Sequence, residues 1–592
     1  MNGKVQQPQQ SLSHTASQSL AQRGNNRTQQ PKNQEFRTFI GADWGPRPAG
    51  PERLEVADFT AVRRAKLGEL FIGQRLVIPA GELRVRSNDN DYRFRAHSAF
   101  SYFTGLGGER EPGAVLVLNP LSGAPAESDK PAESDKPAES DKPAESDTTA
   151  KSSKLAESVT AAESAVTTQL DMPSKPTAPA QSAPRPTHEA ILYFHPRASR
   201  SSEEFYADPK HGEFWVGARP SAADMQIATG IRVKHIDSLR DDLAKDLGSG
   251  AGSVQLRVIA QSDTSVDSLV EQLRSENGLA ATAAARQAAA QADAQLAEAT
   301  SQMRIIKDAW EIEQMRQAVA VTAAGFDDMI RALPRATQHW RGERVLEGAF
   351  GAKAREEGNG LGYETIVASG NHANTLHWIK NDGAVRPGDL VLIDAGAELD
   401  SLYTADITRT LPVSGHFTST QRQVYQAVLD ACEAALAKAN EPGARFRDVH
   451  AAAMDVIAAY LADWGLLPVP AAQSLAATGG QYHRRWMPHG TSHHLGIDVH
   501  DCAQAKRELY QDAVLAPGMV FTIEPGLYFR SDDLKVPERF RGIGVRIEDD
   551  IVITEHGAER ISEGIPRTVE AVEAWIARLT ASPEPFTAPA EK

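Results

Sequence analysis

The segment VLIDAGAELDSLYTADITR, residues 391–409, holds two strand-like stretches that each carry an aspartate. Asp394 lies in the first stretch, VLIDAG, and Asp406 lies in the second, YTADITR, with a polar connection centred on Asp400. If the stretches form a hairpin about that centre, the two acids face each other across the ladder, about 5 Å apart. Carboxylates that close repel each other unless a cation lies between them. The pair therefore predicts a cation site, although two aspartates at this spacing also occur by chance in many proteins.

A histidine-rich segment, PHGTSHHLGIDVHD, follows at residues 488–501. A lone buried histidine is more often a core residue, but four within twelve positions, beside glycine and aspartate, indicate a site. The HisxxxHis spacing in this segment is also found in helical zinc pairs. That interpretation is rejected because no glutamate follows the first histidine, and Gly490 and Gly496 disfavour a helix. The four histidines are His489, His493, His494 and His500.

Two glutamates lie in apolar, strand-like stretches further along the chain. Glu524 lies in VFTIEPG and Glu548 lies in GVRIEDDIVI. Either one could face solvent at a sheet edge, since burial without a partner is costly. Together with the two aspartates and one histidine, however, they make a set of four carboxylates and one imidazole. That is too much negative charge for one divalent ion, and it suits two ions that share bridging carboxylates. Oxygen-rich ligation favours manganese, cobalt or iron(II) over zinc.

In their order along the chain, the motifs VLIDAG, YTADITRT, HGTSHHLGIDVHD, TIEPG and GVRIEDD resemble those of the pita-bread metallopeptidases, and among them the Xaa-Pro aminopeptidase (aminopeptidase P) family. The resemblance covers residues 306–570, and a weaker likeness through DNDYRFRAHSAFSYFTGL covers 55–265. It implies an α/β N-terminal domain followed by an α+β pita-bread catalytic domain. It also implies release of the first residue from peptides with proline second, with two divalent metal ions, most simply Mn(II).

The resemblance also assigns roles to individual residues. Three residues are implied to be catalytic: Glu524, besides being a ligand, would take the proton of the attacking water, His500 would help to hold the developing oxyanion, and His377 matches a substrate-binding histidine. His489, Tyr528 and Arg546 would line the pocket for the proline ring. His372 and His494 match no role and are expected to be structural or exposed. The implied metal ligands are Asp394, Asp406, His493, Glu524 and Glu548.

Low-complexity segments divide the chain. Residues 1–36 are rich in Gln, Asn and Ser, which predicts a disordered tail. A second weak segment, at about 121–188, contains three PAESDK units followed by PAESD. Apolar strand-like runs at 114–118 and 190–194 flank it, which favours a loop inserted into one domain; a linker between two domains is the alternative.

The remaining sequence predicts two folded domains. We expect an N-terminal domain at 37–303, a catalytic domain at 304–575 and a C-terminal tail at 576–592. Helical propensity predicts helices at 266–303, at 307–333 with its end at Pro334, and at about 420–439.

Composition excludes several classes of partner. The chain has 592 residues, and 63 basic against 78 acidic side chains give a net charge of −15. This balance argues against nucleic acid and against an anionic membrane surface. No apolar run approaches the roughly 20 residues that span a bilayer, and no secretory signal is expected. Two cysteines indicate free thiols in a reduced compartment, so we expect a cytoplasmic protein.

Two other functions stay open from the sequence. Prolidase shares the metal set but cleaves only Xaa-Pro dipeptides. A metal-free binding protein on the same fold is the alternative from another class. The resemblance further implies peptide substrates as partners and a homo-oligomer, either a dimer or a tetramer.

Overall fold

The computed structural model describes residues 33–581 except 48, 49, 89, 109, 122–185 and 251. Its helices are α1 (Gln34–Gly41), α2 (Ala57–Leu70), α3 (Ser98–Thr104), α4 (Glu204–Ala207), α5 (Glu213–Val216), α6 (Ala222–Thr229), α7 (Leu239–Ala244), α8 (Thr264–Glu276), α9 (Ala283–Met303), α10 (Ala309–Ala336), α11 (Gly342–Glu357), α12 (Ser419–Ala439), α13 (Phe446–Asp463), α14 (Ala471–Leu475), α15 (Arg507–Tyr510) and α16 (Val569–Thr580). Its strands are β1 (Gln74–Pro79), β2 (Val85–Ser87), β3 (Asn90–Asp91), β4 (Val115–Pro120), β5 (His188–Phe194), β6 (Arg232–His235), β7 (Gln255–Val258), β8 (Gly360–Leu361), β9 (Ile366–Ser369), β10 (Leu390–Ala395), β11 (Ala397–Glu398), β12 (Ile407–Pro412), β13 (Val520–Ile523), β14 (Gly526–Phe529), β15 (Ile543–Arg546), β16 (Asp549–Thr554) and β17 (Gly557–Arg560).

The N-terminal half is built on a mixed sheet of five strands in the order β6-β5-β4-β1-β7. Its three central strands, β5, β4 and β1, are apolar on both faces, as in sheets covered on both sides. Leu76 and Leu116 pack into the core on one face, and Val77 and Val115 pack into a second core on the other. This is the alternation that successive residues of a strand impose. The half is therefore the α/β domain that the sequence predicts.

The strands that flank the PAESDK segment are neighbours in this sheet. β4 and β5 pair antiparallel, with Pro120 opposite His188 and Val115 opposite Tyr193. The two ends of the chain that flank the segment thus lie side by side in one sheet, which favours the insertion within one domain over the linker. Residues 1–32, 122–185 and 582–592 lie outside the described part, so the prediction that the N-terminal tail is disordered stays a prediction.

Two helices differ from the propensity prediction. The helix expected over 266–303 is divided into α8 and α9, because Gly278 adopts a φ of +71° and ends the first helix. The helix expected to end before Pro334 runs on to Ala336 as α10. Proline there removes one backbone donor close to the end of the helix, and the buried Leu333 and Ala336 keep the last turn packed. The helix expected at about 420–439 is confirmed as α12.

Two expected tails also begin or end differently. α1 starts at Gln34, inside the N-terminal tail expected over 1–36. The C-terminal tail expected from 576 starts inside α16, which reaches Thr580. Ile576 and Leu579 are buried against the catalytic core, so burial holds these residues in the helix.

The second half surrounds its core with small antiparallel sheets and long helices. The sheets that matter for the site are β12-β10-β9, β13-β16-β17 and the β14-β15 pair. Helices α10 and α11 pack against each other, as do α12 and α13, and all four contribute to one apolar core. This half is therefore α+β, as expected. Among the described residues, no helix combines the length and the apolar character needed to cross a bilayer.

The two halves meet through ion pairs and a shared apolar cluster. Arg63 of α2 donates to Asp308 at 2.7 Å, and Arg95 donates to Glu398 at 2.7 Å. Val56 and Phe59 pack in one cluster with residues of the catalytic half. These contacts hold the two halves against each other.

Candidate active site

The two aspartates of residues 391–409 lie on a hairpin whose register differs from the prediction. β10 and β12 pair antiparallel, but Asp394 lies opposite Thr408 rather than opposite Asp406. The connection is not a simple turn: Ala397 and Glu398 pair with β8, and Leu402 adopts a φ of +72°. The prediction of directly facing acids is therefore wrong by two residues. Asp406 comes just before β12, two positions from Thr408.

Tyr363 brings the two acids together despite this offset. Its hydroxyl lies 2.6 Å from Asp394 Oδ1 and 2.5 Å from Asp406 Oδ1. Tyr363 comes shortly before β9, in which Ile366 is the partner of Asp394 across the sheet. No signal in the sequence marked this tyrosine, because its position depends on which strand pairs with β10.

The other proposed ligands lie at the ends of neighbouring strands. Glu524 directly follows β13, and Glu548 directly precedes β16. His493 is tied to β13 because the Thr522 amide donates to the His493 carbonyl at 3.0 Å. His493 Nε2 lies 3.3 Å from Asp406 Oδ2 and 3.8 Å from Glu524 Oε1. Four acids at or beside strand ends and one histidine bonded to β13 thus converge.

All five side chains line one cavity of about 610 Å³. Ligand atoms of Asp406, His493 and Glu548 lie within 4.8 Å of one another, which is close enough to share an ion. The other two acids adjoin this group. Asp394 shares the Tyr363 hydroxyl with Asp406, and Glu524 lies near His493. The structure therefore brings together every residue that the resemblance assigns as a metal ligand.

Negative charge in this cluster exceeds what the surrounding protein compensates. Burial raises the pKa of Asp394, with Arg546 opposing the shift and Asp406 adding to it. Burial also raises the pKa of Glu524 to about 7 and holds that of Glu548 well above its usual range. Burial opposes protonation of His493, but the adjacent Asp406 raises its pKa to about 9. Acids that resist ionisation together need an added positive charge.

The donor set fits divalent cations. Four carboxylates, three of them buried and Glu524 half-buried, and one imidazole supply hard oxygen ligands and a single nitrogen. Asp550 adds further negative charge near the site. Its Oδ2 accepts a hydrogen bond from the Asp406 amide at 3.2 Å, and its buried Oδ1 has no hydrogen-bond partner among the described residues. Burial and the charge of Asp406 hold the pKa of Asp550 well above its usual range. Cations near these acids would relieve the repulsion.

Arg546 and Tyr528 form a polar chain along the cavity wall together with His489. Arg546 donates from Nη2 to Asp394 Oδ2 at 2.5 Å and from Nη1 to the Tyr528 hydroxyl at 3.1 Å. The Tyr528 hydroxyl lies 2.7 Å from His489 Nε2. Burial and the charge of Arg546 lower the pKa of His489 to about 3, so its ring is neutral. Arg546 and His489 line the cavity, whereas Tyr528 supports them from behind its wall.

His377 and His500 are exposed and line the same cavity. The His500 ring lies 4.5 Å from the His493 ring in an edge-on arrangement. His372 and His494, to which the resemblance assigns no role, make structural contacts. His372 Nδ1 lies 2.8 Å from Glu343 Oε1 and stacks on Trp378, and the buried His494 stacks on Phe446.

Comparison with known proteins agrees with this geometry. The family model for metallopeptidase family M24 matches residues 313–555, and the model for the aminopeptidase P N-terminal domain matches 60–132. Xaa-Pro aminopeptidase 2 of Streptomyces coelicolor is 40% identical over 89% of this chain and 92% of its own length.

Solved structures of aminopeptidase P from Escherichia coli are also similar. A variant in complex with substrate has a TM-score of 0.66 and 26% identity, and the match covers 90% of this chain and 100% of that one. The structure with the inhibitor Pro-Leu has a TM-score of 0.65 and 27% identity over the same shares. The expected pita-bread fold, preceded by an aminopeptidase P N-terminal domain, is thereby confirmed. The chain belongs to metallopeptidase family M24 and, within it, to the Xaa-Pro aminopeptidases.

Proposed function

We propose that this chain is a metal-dependent aminopeptidase that releases the first residue from peptides with proline in the second position. One observation carries the proposal: four carboxylates, three of them buried and Glu524 half-buried, converge with one histidine in a single cavity, where they outnumber their cationic partners Arg546 and His493. Such a cluster is costly unless cations occupy it, so it is retained for chemistry rather than for stability. The substrate class follows from the family, whose named relatives are Xaa-Pro aminopeptidases.

Asp394, Asp406, His493, Glu524 and Glu548 would hold two divalent metal ions. We infer Mn(II), because hard oxygen donors dominate the set and only one nitrogen is present. When bound, such ions supply Lewis acidity that makes water a nucleophile near neutral pH and stabilises negative charge on the carbonyl oxygen. The remaining steps belong to side chains of this chain.

Glu524 is suited to move the proton. Its Oε1 lies 3.8 Å from His493 Nε2 and its Oε2 lies 3.6 Å from His489 Nδ1, so the carboxylate is central in the cavity. From there it would accept the proton of the attacking water and pass it to the leaving nitrogen. An Xaa-Pro bond is a tertiary amide without an N–H, so its nitrogen must receive a proton before it can leave as proline's amine.

The exposed imidazoles and the wall would bind the peptide. His500 and His377 at the cavity rim can donate hydrogen bonds to the scissile carbonyl as its oxygen gains charge. His489 and Arg546, held by Tyr528, would form the pocket for the proline ring. Because Arg546 is already engaged with Asp394, we assign it to shaping this pocket rather than to binding a free carboxylate.

The test compares three substrates at equal concentration, with chelated enzyme and after addition of Mn²⁺. We expect Mn²⁺-dependent cleavage of a Leu-Pro-Xaa tripeptide, weak cleavage of the Leu-Pro dipeptide and none of a Leu-Ala-Xaa tripeptide. Cleavage of the dipeptide alone would identify a prolidase instead. Absence of both cleavage and tight metal binding would favour a metal-free binding protein.

We further propose a cytoplasmic homo-oligomer, either a dimer or a tetramer. The compartment rests on the cysteines: Cys432 and Cys502 are both buried and unpaired, as thiols in a reducing environment are. The oligomer rests on the family resemblance and is tested by light scattering on the chromatographed protein. A monomer at micromolar concentration would contradict it.

A further inference from the structure

One carboxylate of the cavity wall takes no part in the chemistry described above. Glu364 is exposed and lines the cavity. Among the described residues Glu364 has no hydrogen-bond or ion-pair partner, whereas the cations of the lining, Arg546 and His493, are already engaged with Asp394 and Asp406. The other lining carboxylates belong to the metal-ligand cluster. Glu364 is therefore a charge that the site presents to whatever enters it.

Glu364 is close along the chain to the reacting centre. It directly follows Tyr363, whose hydroxyl contacts both Asp394 and Asp406. Two residues later, Ile366 begins β9 and pairs with Asp394 across the sheet. A carboxylate in this position lies beside the metal-ligand cluster without joining it. A peptide held at the cluster by its first residue would extend that residue's side chain along this part of the wall.

The wall around Glu364 is apolar. Ile366, Leu376, Ile379 and Val499 line the same cavity, and Ile379 is 51% exposed at its opening. An aliphatic wall that ends in a carboxylate matches an aliphatic stem that ends in a cation. Lysine and arginine have this form, since they bury their methylene chains and keep the charged end outside.

The electrostatic surroundings of Glu364 are also negative. Burial raises the pKa of the neighbouring Glu347, and Glu364 adds to that shift while Arg344 opposes it. The Arg344 guanidinium donates hydrogen bonds to the Lys380 carbonyl at 3.3 and 3.4 Å and does not pair with Glu364. An incoming cation therefore meets no competing partner on Glu364 among the described residues.

We propose that Glu364 binds the cationic side chain of the substrate's first residue, so that the site prefers Lys-Pro and Arg-Pro peptides. This inference rests on the proposed aminopeptidase function and names its substrate class. Glu364 acts as a specificity residue: it discriminates between first residues and leaves the chemistry of the scissile bond unchanged.

The experiment compares two tripeptides of the form Xaa-Pro-Xaa that differ only in the first residue, lysine or norleucine. These side chains share an unbranched aliphatic stem, and only lysine carries a charge. In the wild-type enzyme kcat/KM is expected to favour lysine about tenfold, the size of one charge-assisted hydrogen bond. In Glu364→Gln the lysine peptide loses this advantage while the norleucine peptide changes less than about twofold. Glu313→Gln, a change at a half-buried position of α10 outside the cavity lining, is the matched control and keeps the preference.

Other outcomes overturn the inference in distinct ways. An equal fall for both peptides would show that Glu364 binds the α-amine common to both. Cleavage of both peptides at equal rates by the wild type would leave the proposed function intact and remove the preference. Cleavage of neither peptide would instead contradict the proposed function. As a second variant, Glu364→Lys should favour a Glu-Pro-Xaa peptide over Lys-Pro-Xaa, and a retained lysine preference there would refute the assignment.

Discussion

Two adjacent residues at one strand end, Glu548 and Asp549, belong to two different buried charge clusters. One cluster consists mainly of acids, and the other pairs an acid with arginines. Glu548 faces the catalytic cavity, where its contacts are other acids and the Thr408 hydroxyl at 2.7 Å. Asp549 faces the other way and accepts from Arg409 at 2.8 Å and from the Ser562 hydroxyl at 2.6 Å. Adjacent residues of an extended chain point to opposite sides, so one strand serves both clusters.

In the cluster around Asp549, arginine side chains balance the carboxylate charge, although its buried Oδ2 accepts no hydrogen bond from a described residue. Arg409 is completely buried, and besides Asp549 it donates to backbone carbonyls, including that of Glu548 at 2.6 Å. Arg567 approaches Asp549 as well, at 3.4 Å. In the catalytic cluster, by contrast, four carboxylates face the single guanidinium of Arg546. Buried charge with protein partners holds the fold together, whereas buried charge without them creates a site for cations.

Asp406→Asn should give the largest effect and tests the uncompensated cluster. We expect kcat/KM for a Leu-Pro-Xaa peptide to fall at least about a thousandfold, because the ions at this site supply several kcal/mol of transition-state stabilisation. Without metal, the free energy of unfolding should stay constant or rise, since one of several repelling charges is gone. Peptide hydrolysis with Mn²⁺ and urea unfolding with chelator measure the two.

A stability loss of several kcal/mol in metal-free Asp406→Asn would show that the catalytic acids are compensated after all. Near-normal activity would show that Asp406 is no ligand. Asp532→Asn is the matched control, because Asp532 is exposed and, among the described residues, forms an ion pair only with Arg530. That variant should change neither quantity appreciably.

Asp549→Asn should show the reverse pattern. The change leaves Arg409 buried without its carboxylate, which costs about 3–5 kcal/mol of unfolding free energy. The loss should appear in urea unfolding whether or not metal is present, and Mn²⁺ affinity of the folded fraction should be retained. If Asp549→Asn unfolds at the same urea concentration as the wild type, the comparison between the clusters fails.

Tyr363→Phe should have the smallest effect and sharpens the boundary of the catalytic cluster. It removes the hydroxyl that touches Asp394 and Asp406 but leaves every ligand in place. Groups that only orient ligands cost about 10–100-fold in activity or metal affinity when they are removed. Calorimetric titration with Mn²⁺ would measure the affinity. A loss as large as that of Asp406→Asn would place Tyr363 among the groups that act directly.

Much of the fold could be predicted from local patterns. Apolar runs at 114–118 and 190–194 predict the two neighbouring strands β4 and β5, and propensity predicts α12. Propensity missed the helix end at Gly278, because a left-handed glycine and its capping bonds outweigh the good helix formers around it. It also ended α10 too early, because packing of its last turn outweighs the defect at Pro334.

The candidate site divides in the same way. Motif order alone marked all five ligand candidates, which the structure brings into one cavity. Sequence could not give the register of β10 and β12, since the connection between them pairs with another strand. It could not reveal Tyr363 either, because that contact depends on β9 lying beside β10.

The sequence by itself determined the kind of residues available, their order and therefore the family. Only the tertiary structure decided which acids are left without partners. Glu548 and Asp549 are chemically similar and adjacent, and no local pattern separates them. They differ because the fold places Arg409 on one side of the strand and three further acids on the other. Charge compensation depends on distances between residues remote in sequence, and those distances exist only once the chain has folded.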